Sequence, residues 1–376
     1  MDRRNFMAGV GTGLVAAGSA SAPLAAAPRK SAKPVLPEKR GRLKLKLGCQ
    51  SGPATDEHFE FLSRYGVTNI AARPPAADGR LYSTVEELLT VKSLAEKRKL
   101  KLDIVDPIQL PSSHIDREKN LGIMLAQSPE REREVEAFQT LIRNCAAAGI
   151  PCIKYNMSLL GVLRTGREAG RGDTQFSAWD ASKAAPPTPL TRAGPVSEEA
   201  FWERITWFLA HVVPVANEYK VRIACHPHDP GTPPEGYQGI HRVLGTIDGL
   251  KKFVGIHESP YHGLNFCQGT VSENLTDPAS QIFDVIRWFG SRKKIFNVHF
   301  RNIVGHRGKF REAFPDEGDV DLYRALLTYA EVGYDGMLMP DHVPQVPGHP
   351  EAEEQSFAFA YGHIRGLMQA AEHYLA

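Results

Sequence analysis

The chain has 376 residues, of which 42% are hydrophobic and 23% charged, the balance of a globular protein that can bury a large core. Lys and Arg total 45 against 43 for Asp and Glu, a formal net charge of +2. This balance lacks the basic excess that neutralises phosphates along nucleic acid, so nucleic acid is not an expected partner.

The first 27 residues resemble a twin-arginine export signal. Arg3 and Arg4 precede a mildly apolar, Gly- and Ala-rich run that ends near Ala27 and contains small-residue cleavage candidates. Glycine and serine interrupt this run, which makes it too weakly apolar for a stable membrane span. The resemblance implies recognition by the twin-arginine export machinery and a periplasmic location. Residues 28–43 are then a flexible leader ahead of a domain at residues 44–376.

Five cysteines are too few and too widely spaced for a disulfide framework, and their odd number leaves at least one free thiol. In an exported protein, burial or metal ligation would protect such a thiol.

Short apolar runs alternate with longer segments of helical period along residues 44–376. The eight predicted strands are Leu45–Cys49, Val67–Ala72, Leu102–Val105, Cys152–Asn156, Arg222–His226, Leu264–Cys267, Ile295–Phe300 and Gly336–Met339. The predicted helices are Asp56–Tyr65, Val85–Arg98, Glu130–Ala148, Glu198–Tyr219, Pro278–Phe289, Asp321–Val332 and Ala352–Tyr374. This alternation predicts a single-domain (β/α)₈ TIM barrel. A doubly wound sheet is the alternative, but no G-x-G-x-x-G fingerprint follows the first strand.

The segment Gly161–Val196, after the fourth strand, is rich in Gly, Arg, Thr and Pro and is long for a βα loop. We expect either a functional lid or a disordered insertion, at the face of the barrel that carries active sites.

Four consecutive predicted strands each end on a side chain that can bind a metal. Strands five to eight end at His226, Cys267, His299 and the pair Asp341-His342. In a barrel these ends meet at one rim, where two imidazoles, a thiolate and a carboxylate suit a divalent transition metal in an open, catalytic site. Strand alternation sends Cys225 to the face opposite His226, so only one of these neighbours can reach the metal.

The chain resembles the mannonate dehydratase family of metal-dependent, xylose isomerase-like barrels. The passages that carry the resemblance are His226-Pro227-x-Asp229-Pro230, Gly263 to Gly269 (GLNFCQG), Val298 to Asn302 (VHFRN) and Pro340-Asp341-His342. As a set these motifs are specific, and the resemblance is firmest between residues 196 and 342.

The resemblance implies removal of water from a sugar acid such as D-mannonate to give a 2-keto-3-deoxy acid. It also implies one divalent cation, most often Mn²⁺ with Zn²⁺, Fe²⁺ or Co²⁺ as alternatives, on the ligands His226, Cys267, His299 and Asp341. His342 is cast as a catalytic acid or base, with a supporting contact to Asp341 as the alternative. Arg301 and Asn302 are cast as groups that contact the substrate or the ligands.

Two side chains have open alternatives. Tyr155, at the end of strand four, could supply the second proton or pack in the core. Arg301 could pair bidentately with a sugar-acid carboxylate or form a structural ion pair.

Two positions depart from the family pattern. His228 stands where the family typically has an acidic residue, and Val343-Pro344-Gln345 follows His342 where the family commonly has Gly-Arg. Asp229 keeps the pattern, and we expect it to orient a ligand or a substrate hydroxyl. His228 and Asp229 are therefore both candidate substrate contacts, and the changes indicate a substrate related to mannonate but different from it.

Two other functions are open at this point. A sugar isomerase or epimerase on a similar barrel usually has several Glu and Asp ligands, and Glu258 is the spare carboxylate near a strand. A non-catalytic periplasmic carbohydrate-binding protein could hold a structural metal, although open metal positions exceed what binding needs. The oligomeric state, including a homo-oligomer, is also open.

Overall fold

The computed structural model describes residues 43–184, 190–233, 235–349 and 351–375. The predicted export signal and almost all of the predicted leader lie outside these residues.

The strands are listed in chain order: β1 (Lys46–Gly52), β2 (Asn69–Ala72), β3 (Lys101–Val105), β4 (Cys152–Asn156), β5 (Gly166–Ala169), β6 (Gln175–Asp180), β7 (Arg222–His226), β8 (His262–Cys267), β9 (Ile295–His299), β10 (Asn302–His306), β11 (Lys309–Ala313) and β12 (Met337–Met339). The α-helices are α1 (Asp56–Arg64), α2 (Val85–Lys97), α3 (Gly122–Leu125), α4 (Glu130–Ala148), α5 (Glu198–Tyr219), α6 (Ile247–Gly255), α7 (Gln268–Glu273), α8 (Pro278–Ser291), α9 (Leu322–Glu331) and α10 (Ala352–Leu375).

Eight parallel strands close into a barrel in the order β1-β12-β9-β8-β7-β4-β3-β2. These are the eight strands that the sequence predicts, with ends that differ by at most three residues, so the TIM-barrel prediction is confirmed. None of the helices in the described ranges has the length and apolar character needed to cross a membrane.

A second, four-stranded antiparallel sheet has the order β10-β11-β6-β5. Strands β5 and β6 come from the segment Gly161–Val196, and β10 and β11 form a hairpin directly after β9. The described part of that segment is therefore folded, and the expectation of a disordered insertion is wrong for it. The sequence analysis missed all four strands because it assigned one segment to a loop and placed no element between the seventh strand and the next helix.

Seven buried side chains from the barrel strands form an interior cluster: Ala71, Ile104, Cys152, Ala224, Phe296, Met337 and Met339. Alternation along β7 places Ala224 in this interior cluster, while Cys225 belongs to the large core beneath the helices. Cys225 thus faces away from the rim, as predicted. All five cysteines are buried and free.

Local sequence signals define several helix starts. Ser197 caps α5 by accepting a hydrogen bond from the backbone N–H of Ala200, and Thr84 and Glu87 form a capping box on α2. Helix α6 was not predicted, although Thr246 caps it in the same manner. These N-caps define the residue at which each helix begins.

His262, the first residue of β8, is a fully buried imidazole outside the rim. Its Nε2–H donates to the carbonyl of Phe253 at 2.9 Å, and its ring meets the Phe253 ring edge-on at 4.7 Å. Burial lowers the pKa of His262 to about 4, because the charged imidazolium would lose its hydration.

We predict that His262 makes stability fall as the pH drops below about 6.5. The folded pKa lies below the unfolded value, so the unfolded chain binds the extra proton first and stability is lost as the pH falls towards 4. The shift corresponds to about 2 kcal/mol lost between pH 7 and pH 5. Denaturant unfolding at both pH values should show this loss in the native chain and a smaller loss in His262→Gln. Equal losses in the two proteins would contradict the assignment.

Candidate metal centre

Four potential ligand side chains come together at the carboxyl end of the barrel. One ligand atom from each of His226, Cys267, His299 and Asp341 lies within 4.8 Å of the other three. These residues end or follow β7, β8, β9 and β12, which are neighbours in the closed sheet. The register of the parallel strands brings the ligands to the same level. Cys267 pairs with His299, and His299 pairs with Met339, two residues before Asp341.

The two imidazoles present nitrogen atoms that suit a metal ion. Nδ1–H of His226 donates to the carbonyl of Pro227 at 2.6 Å, which leaves Nε2 with its lone pair. Nδ1 of His299 is buried without a hydrogen-bond partner among the described residues and lies 3.3 Å from Oδ1 of Asp341. The ring centres of the two histidines are 5.1 Å apart.

The sulfur and the carboxylate complete the donor set. Sγ of Cys267 lies 3.6 Å from Oδ2 of Asp341 and accepts hydrogen bonds from the backbone N–H and the hydroxyl of Thr270. Such donors stabilise a thiolate, the form that binds metal. Two nitrogens, one sulfur and one carboxylate oxygen in this arrangement fit a divalent transition metal, and the sulfur argues against Mg²⁺ and Ca²⁺.

A cavity of about 150 Å³ opens beside the four ligands and spans the barrel mouth. The half of the barrel that bears β7, β8, β9 and β12 contributes the ligand cluster and His342. Polar residues from the other half, after or within β1 to β4, are Gln50, Arg73, Asp106, Ser112, Lys154, Asn156 and Ser158.

Lys154, on β4, is a buried residue that lines this cavity. Its Nζ donates to Oε1 of Gln50 at 2.6 Å and lies 3.4 Å from Oδ1 of Asp106. Gln50 in turn donates from Nε2 to Oδ1 of Asp341 at 2.8 Å. A continuous set of contacts therefore connects a candidate metal ligand to the opposite half of the barrel.

His342 is held by a carboxylate from the second sheet. Its Nδ1–H donates to Oε1 of Glu312 on β11 at 2.5 Å, and its Nε2 lies 3.7 Å from Oδ2 of Asp341. Burial favours the neutral ring, but Asp341 and Glu312 outweigh it and raise the pKa of His342 to about 9. The ring is thus fixed in orientation at the edge of the cavity, with Nε2 towards the ligand cluster.

Arg301 is a buried ion-pair partner. It donates from Nε to Asp341 at 3.0 Å, from Nη1 to Glu273 at 2.7 Å and from Nη2 to Asp229 at 2.7 Å. With only 4% of the residue exposed, it does not line the cavity. Of the two predicted alternatives for Arg301, this geometry matches the structural ion pair.

Asp229 lines the cavity but is occupied by three donors. Arg164 contacts its Oδ1 at 2.5 Å, while Arg301 and the hydroxyl of Thr270 contact its Oδ2. Burial would raise the pKa of Asp229, but the two arginines hold it well below its usual range. Asp229 therefore orients the arginine that touches the ligand Asp341.

Three other predicted site residues lie away from the cavity. Asn302 donates to the carbonyl of Val320, and His228 contacts the carbonyl of Met157 from a buried position. Tyr155 is fully buried in the outer core, where its ring meets the Phe138 ring edge-on at 5.5 Å. None of the three lines the cavity, so the structure does not bring Asn302, His228 or Tyr155 to the place where their substrate or proton roles were predicted.

The sequence analysis missed four polar residues of the site: Gln50, Lys154, Arg164 and Glu312. Lys154 carried a usable signal, because alternation along β4 places it on the same face as Asn156, towards the interior. Gln50 likewise follows the first predicted strand. Glu312 and Arg164 carried none, since both belong to the unpredicted second sheet or its approach.

A TIM barrel with a four-ligand centre at its carboxyl rim is the architecture of metal-dependent sugar-converting barrels. Comparison with known proteins specifies the family: the model of the family described as D-mannonate dehydratase (UxuA) matches residues 178–375, more than half of the chain. The chain belongs to the D-mannonate dehydratase family.

Individual relatives agree with this family. A mannonate dehydratase of Thermotoga petrophila is 27% identical over 294 residues, covering 69% of this chain and 77% of the relative. Mannonate dehydratase 2 of Halalkalibacterium halodurans is 28% identical over 316 residues, covering 76% and 87%.

Solved structures share the fold. Mannonate dehydratase from Streptococcus suis serotype 2 superposes with a TM-score of 0.72 at 22% identity, covering 88% of this chain and 95% of that one. A D-tagatose 3-epimerase-like protein gives 0.57 at 12% identity, covering 88% and 100%. At these identities the likeness concerns the barrel alone.

We predict that Cys267→Ala and His299→Ala lose bound metal, because each removes one of four donors. Metal content of the purified proteins, measured by plasma mass spectrometry, should fall from about one ion per chain to a small fraction. Cys225→Ala is the matched control, since Cys225 is a buried thiol on the opposite face of β7 and should leave the metal in place. Full metal retention in both variants would contradict the assignment of Cys267 and His299 as metal ligands.

Proposed function

We propose that this protein is a carbon-oxygen lyase that removes water from D-mannonate or a closely related sugar acid to give a 2-keto-3-deoxy acid. The observation that carries the proposal is the cluster of His226, Cys267, His299 and Asp341 beside a cavity that His342 lines, in a chain that belongs to the D-mannonate dehydratase family. We propose one Mn²⁺ per chain as the cation.

The reaction removes the C2 proton and the C3 hydroxyl, which leaves as water after protonation, and the resulting enol becomes the 2-keto group. A bound divalent cation at the four ligands would supply Lewis-acid stabilisation of the negative charge that develops when C2 loses its proton. No oxidant or reductant is needed, because the elimination is redox-neutral overall.

His342 is the side chain best placed to carry a proton. It lines the cavity, and Glu312 binds Nδ1 so that Nε2 is directed to the reacting region. Glu312 itself also accepts from Nη2 of Arg164 at 2.6 Å, which fixes the carboxylate between two donors. A fixed imidazole orientation places the proton-transferring atom before substrate binds.

The remaining cavity residues bind and orient the sugar hydroxyls. Ser112, Asn156 and Ser158 present neutral donors and acceptors towards the cavity. Lys154 also lines the cavity and is, besides His342, a group that can give a proton to the departing hydroxyl.

We predict that the metal-loaded enzyme converts a sugar acid to a product with an α-keto group, detected as its semicarbazone. His342→Asn should lower kcat by about 10²- to 10⁴-fold while retaining the metal, because it removes a proton carrier and no ligand. Tyr155→Phe is the matched control and should keep most of the activity, since the Tyr155 ring packs in the outer core.

Three outcomes would contradict the proposed reaction or the role of His342 in it. Interconversion of an aldose and a ketose without loss of water would make the protein an isomerase. Undiminished turnover in His342→Asn would remove this residue from the mechanism. Binding of sugars without any conversion would favour the carbohydrate-binding alternative.

We further propose that the protein is exported by the twin-arginine machinery and works in the periplasm. The supporting feature is the pair Arg3-Arg4 before an apolar run. The five free cysteines are all buried, which protects their thiols from oxidation outside the cytoplasm. That machinery carries folded proteins, so a thiolate metal centre can be assembled before export.

Export predicts a specific fractionation result. The full-length chain, expressed in a bacterium with a twin-arginine system, should appear in the periplasmic fraction with a shortened N-terminus. Replacement of both Arg3 and Arg4 by Lys should leave it in the cytoplasm at full length, because the paired arginines are the recognised feature. Identical fractionation of the two proteins would contradict export by this route.

A further inference from the structure

The Gln50 side chain lies between a cation and a candidate metal ligand. Its Oε1 accepts a hydrogen bond from Nζ of Lys154 at 2.6 Å, and its Nε2 donates to Oδ1 of Asp341 at 2.8 Å. Gln50 belongs to β1 and Asp341 follows β12, and these two strands are neighbours in the barrel. Lys154 comes from β4, which β2 and β3 separate from β1. The two hydrogen bonds therefore cross the barrel mouth to reach the ligand cluster.

Lys154 determines which end of the Gln50 amide faces Asp341. An ammonium group has donors only, so it must meet the carbonyl oxygen of the amide. The NH₂ group of the amide is then directed to the carboxylate. If the amide were turned over, its oxygen would lie against a carboxylate oxygen, and two acceptors cannot form a hydrogen bond. The lysine thus selects the amide orientation in which Gln50 donates to Asp341.

Gln50 and Arg301 hold different oxygens of the Asp341 carboxylate. Nε2 of Gln50 donates to Oδ1 at 2.8 Å, and Nε of Arg301 donates to Oδ2 at 3.0 Å. Rotation of the carboxylate about its Cβ–Cγ bond would break both hydrogen bonds. The two donors therefore fix the direction in which Asp341 presents its oxygen atoms to the ligand cluster.

The amide of Gln50 donates to Asp341 without bringing a positive charge to it. A lysine in direct contact with Asp341 would compete with a metal ion for the charge of this carboxylate. With the amide between them, Lys154 sets only the direction of the hydrogen bond. Its own charge is offset by Asp106, whose Oδ1 lies 3.4 Å from Nζ. The charge of Asp341 therefore remains available to a divalent cation.

We propose that Gln50 is a positioning residue of the metal centre and that Lys154 acts on Asp341 through it. The inference rests on the cation of the proposed function, bound by the four candidate ligands, and does not rest on the loss of water. Hydrogen-bond partners of a metal ligand typically change metal affinity by about 10- to 100-fold. Residues of the cavity wall that are not metal ligands thus contribute to metal binding.

The experiment is a double-mutant cycle in which Mn²⁺ binding to the metal-free full chain is measured by titration calorimetry. The proteins are the native chain, Gln50→Leu, Lys154→Met and the double variant, each checked for a native thermal melting transition. If Gln50→Leu does not fold, Gln50→Ala takes its place. Lys101→Met is the matched control, because Lys101 contacts Asp103 at 3.0 Å and does not line the cavity.

We expect Gln50→Leu to raise the Kd for Mn²⁺ by at least about tenfold, because Oδ1 of Asp341 loses its donor. Lys154→Met should raise the Kd by a factor at least about threefold larger when Gln50 is present than when Leu replaces it. Loss of the lysine charge itself favours a cation in both backgrounds, so this effect cancels in the comparison. Lys101→Met should leave the Kd within about twofold.

Two results would overturn the proposal: an unchanged Kd in the Gln50 variant, or the same effect of Lys154→Met in both backgrounds. The second result would show that Lys154 does not act through Gln50. A native chain that binds no Mn²⁺ would overturn the proposal together with the metal centre. If the cycle gives the expected coupling while no sugar acid loses water, the proposed reaction fails and the role of Gln50 stands.

Discussion

The site depends on one buried guanidinium, that of Arg301. It contacts the candidate metal ligand Asp341, the wall residue Asp229 and the buried Glu273 at hydrogen-bond distances. Carboxylates so close together repel one another in a low-dielectric interior, and burial raises the pKa of Glu273 to about 7 despite the arginine. Without the guanidinium, these groups would be uncompensated buried charges, which are far more costly than exposed ones. His299, His342 and Arg301 together hold the pKa of the ligand Asp341 well below its usual range despite burial, and Arg301 also fixes the orientation of its carboxylate.

A second arginine extends this network from the barrel to the added sheet. Arg164 joins Asp229 to Glu312, and Glu312 fixes the ring of His342. The antiparallel sheet is thus an integral wall of the site, because its β11 strand positions the side chain that we assign to proton transfer. A change in that sheet can alter proton transfer without touching any metal ligand.

The two halves of the barrel contribute different groups to the cavity. Strands β7, β8, β9 and β12 supply the metal donors, which define the chemistry, whereas β1 to β4 supply groups that meet the rest of the substrate. The wall from β1 to β4 carries Lys154 and Arg73, and the contacts through Gln50 connect it to Asp341.

The sequence by itself determined the barrel and its four candidate ligands, because a period-two strand pattern and a parallel topology together dictate that His226, Cys267 and His299 meet at one rim. It also determined that Cys225 faces outward. Only the tertiary structure decided that Arg301 is consumed by ion pairs and that Tyr155 packs in the outer core, because strand position does not reveal which neighbours a side chain meets. The four-stranded antiparallel sheet is also visible only in the tertiary structure. Its strands β6 and β11 pair although they lie more than a hundred residues apart in the chain, and the local sequence pattern of a strand does not specify its partner.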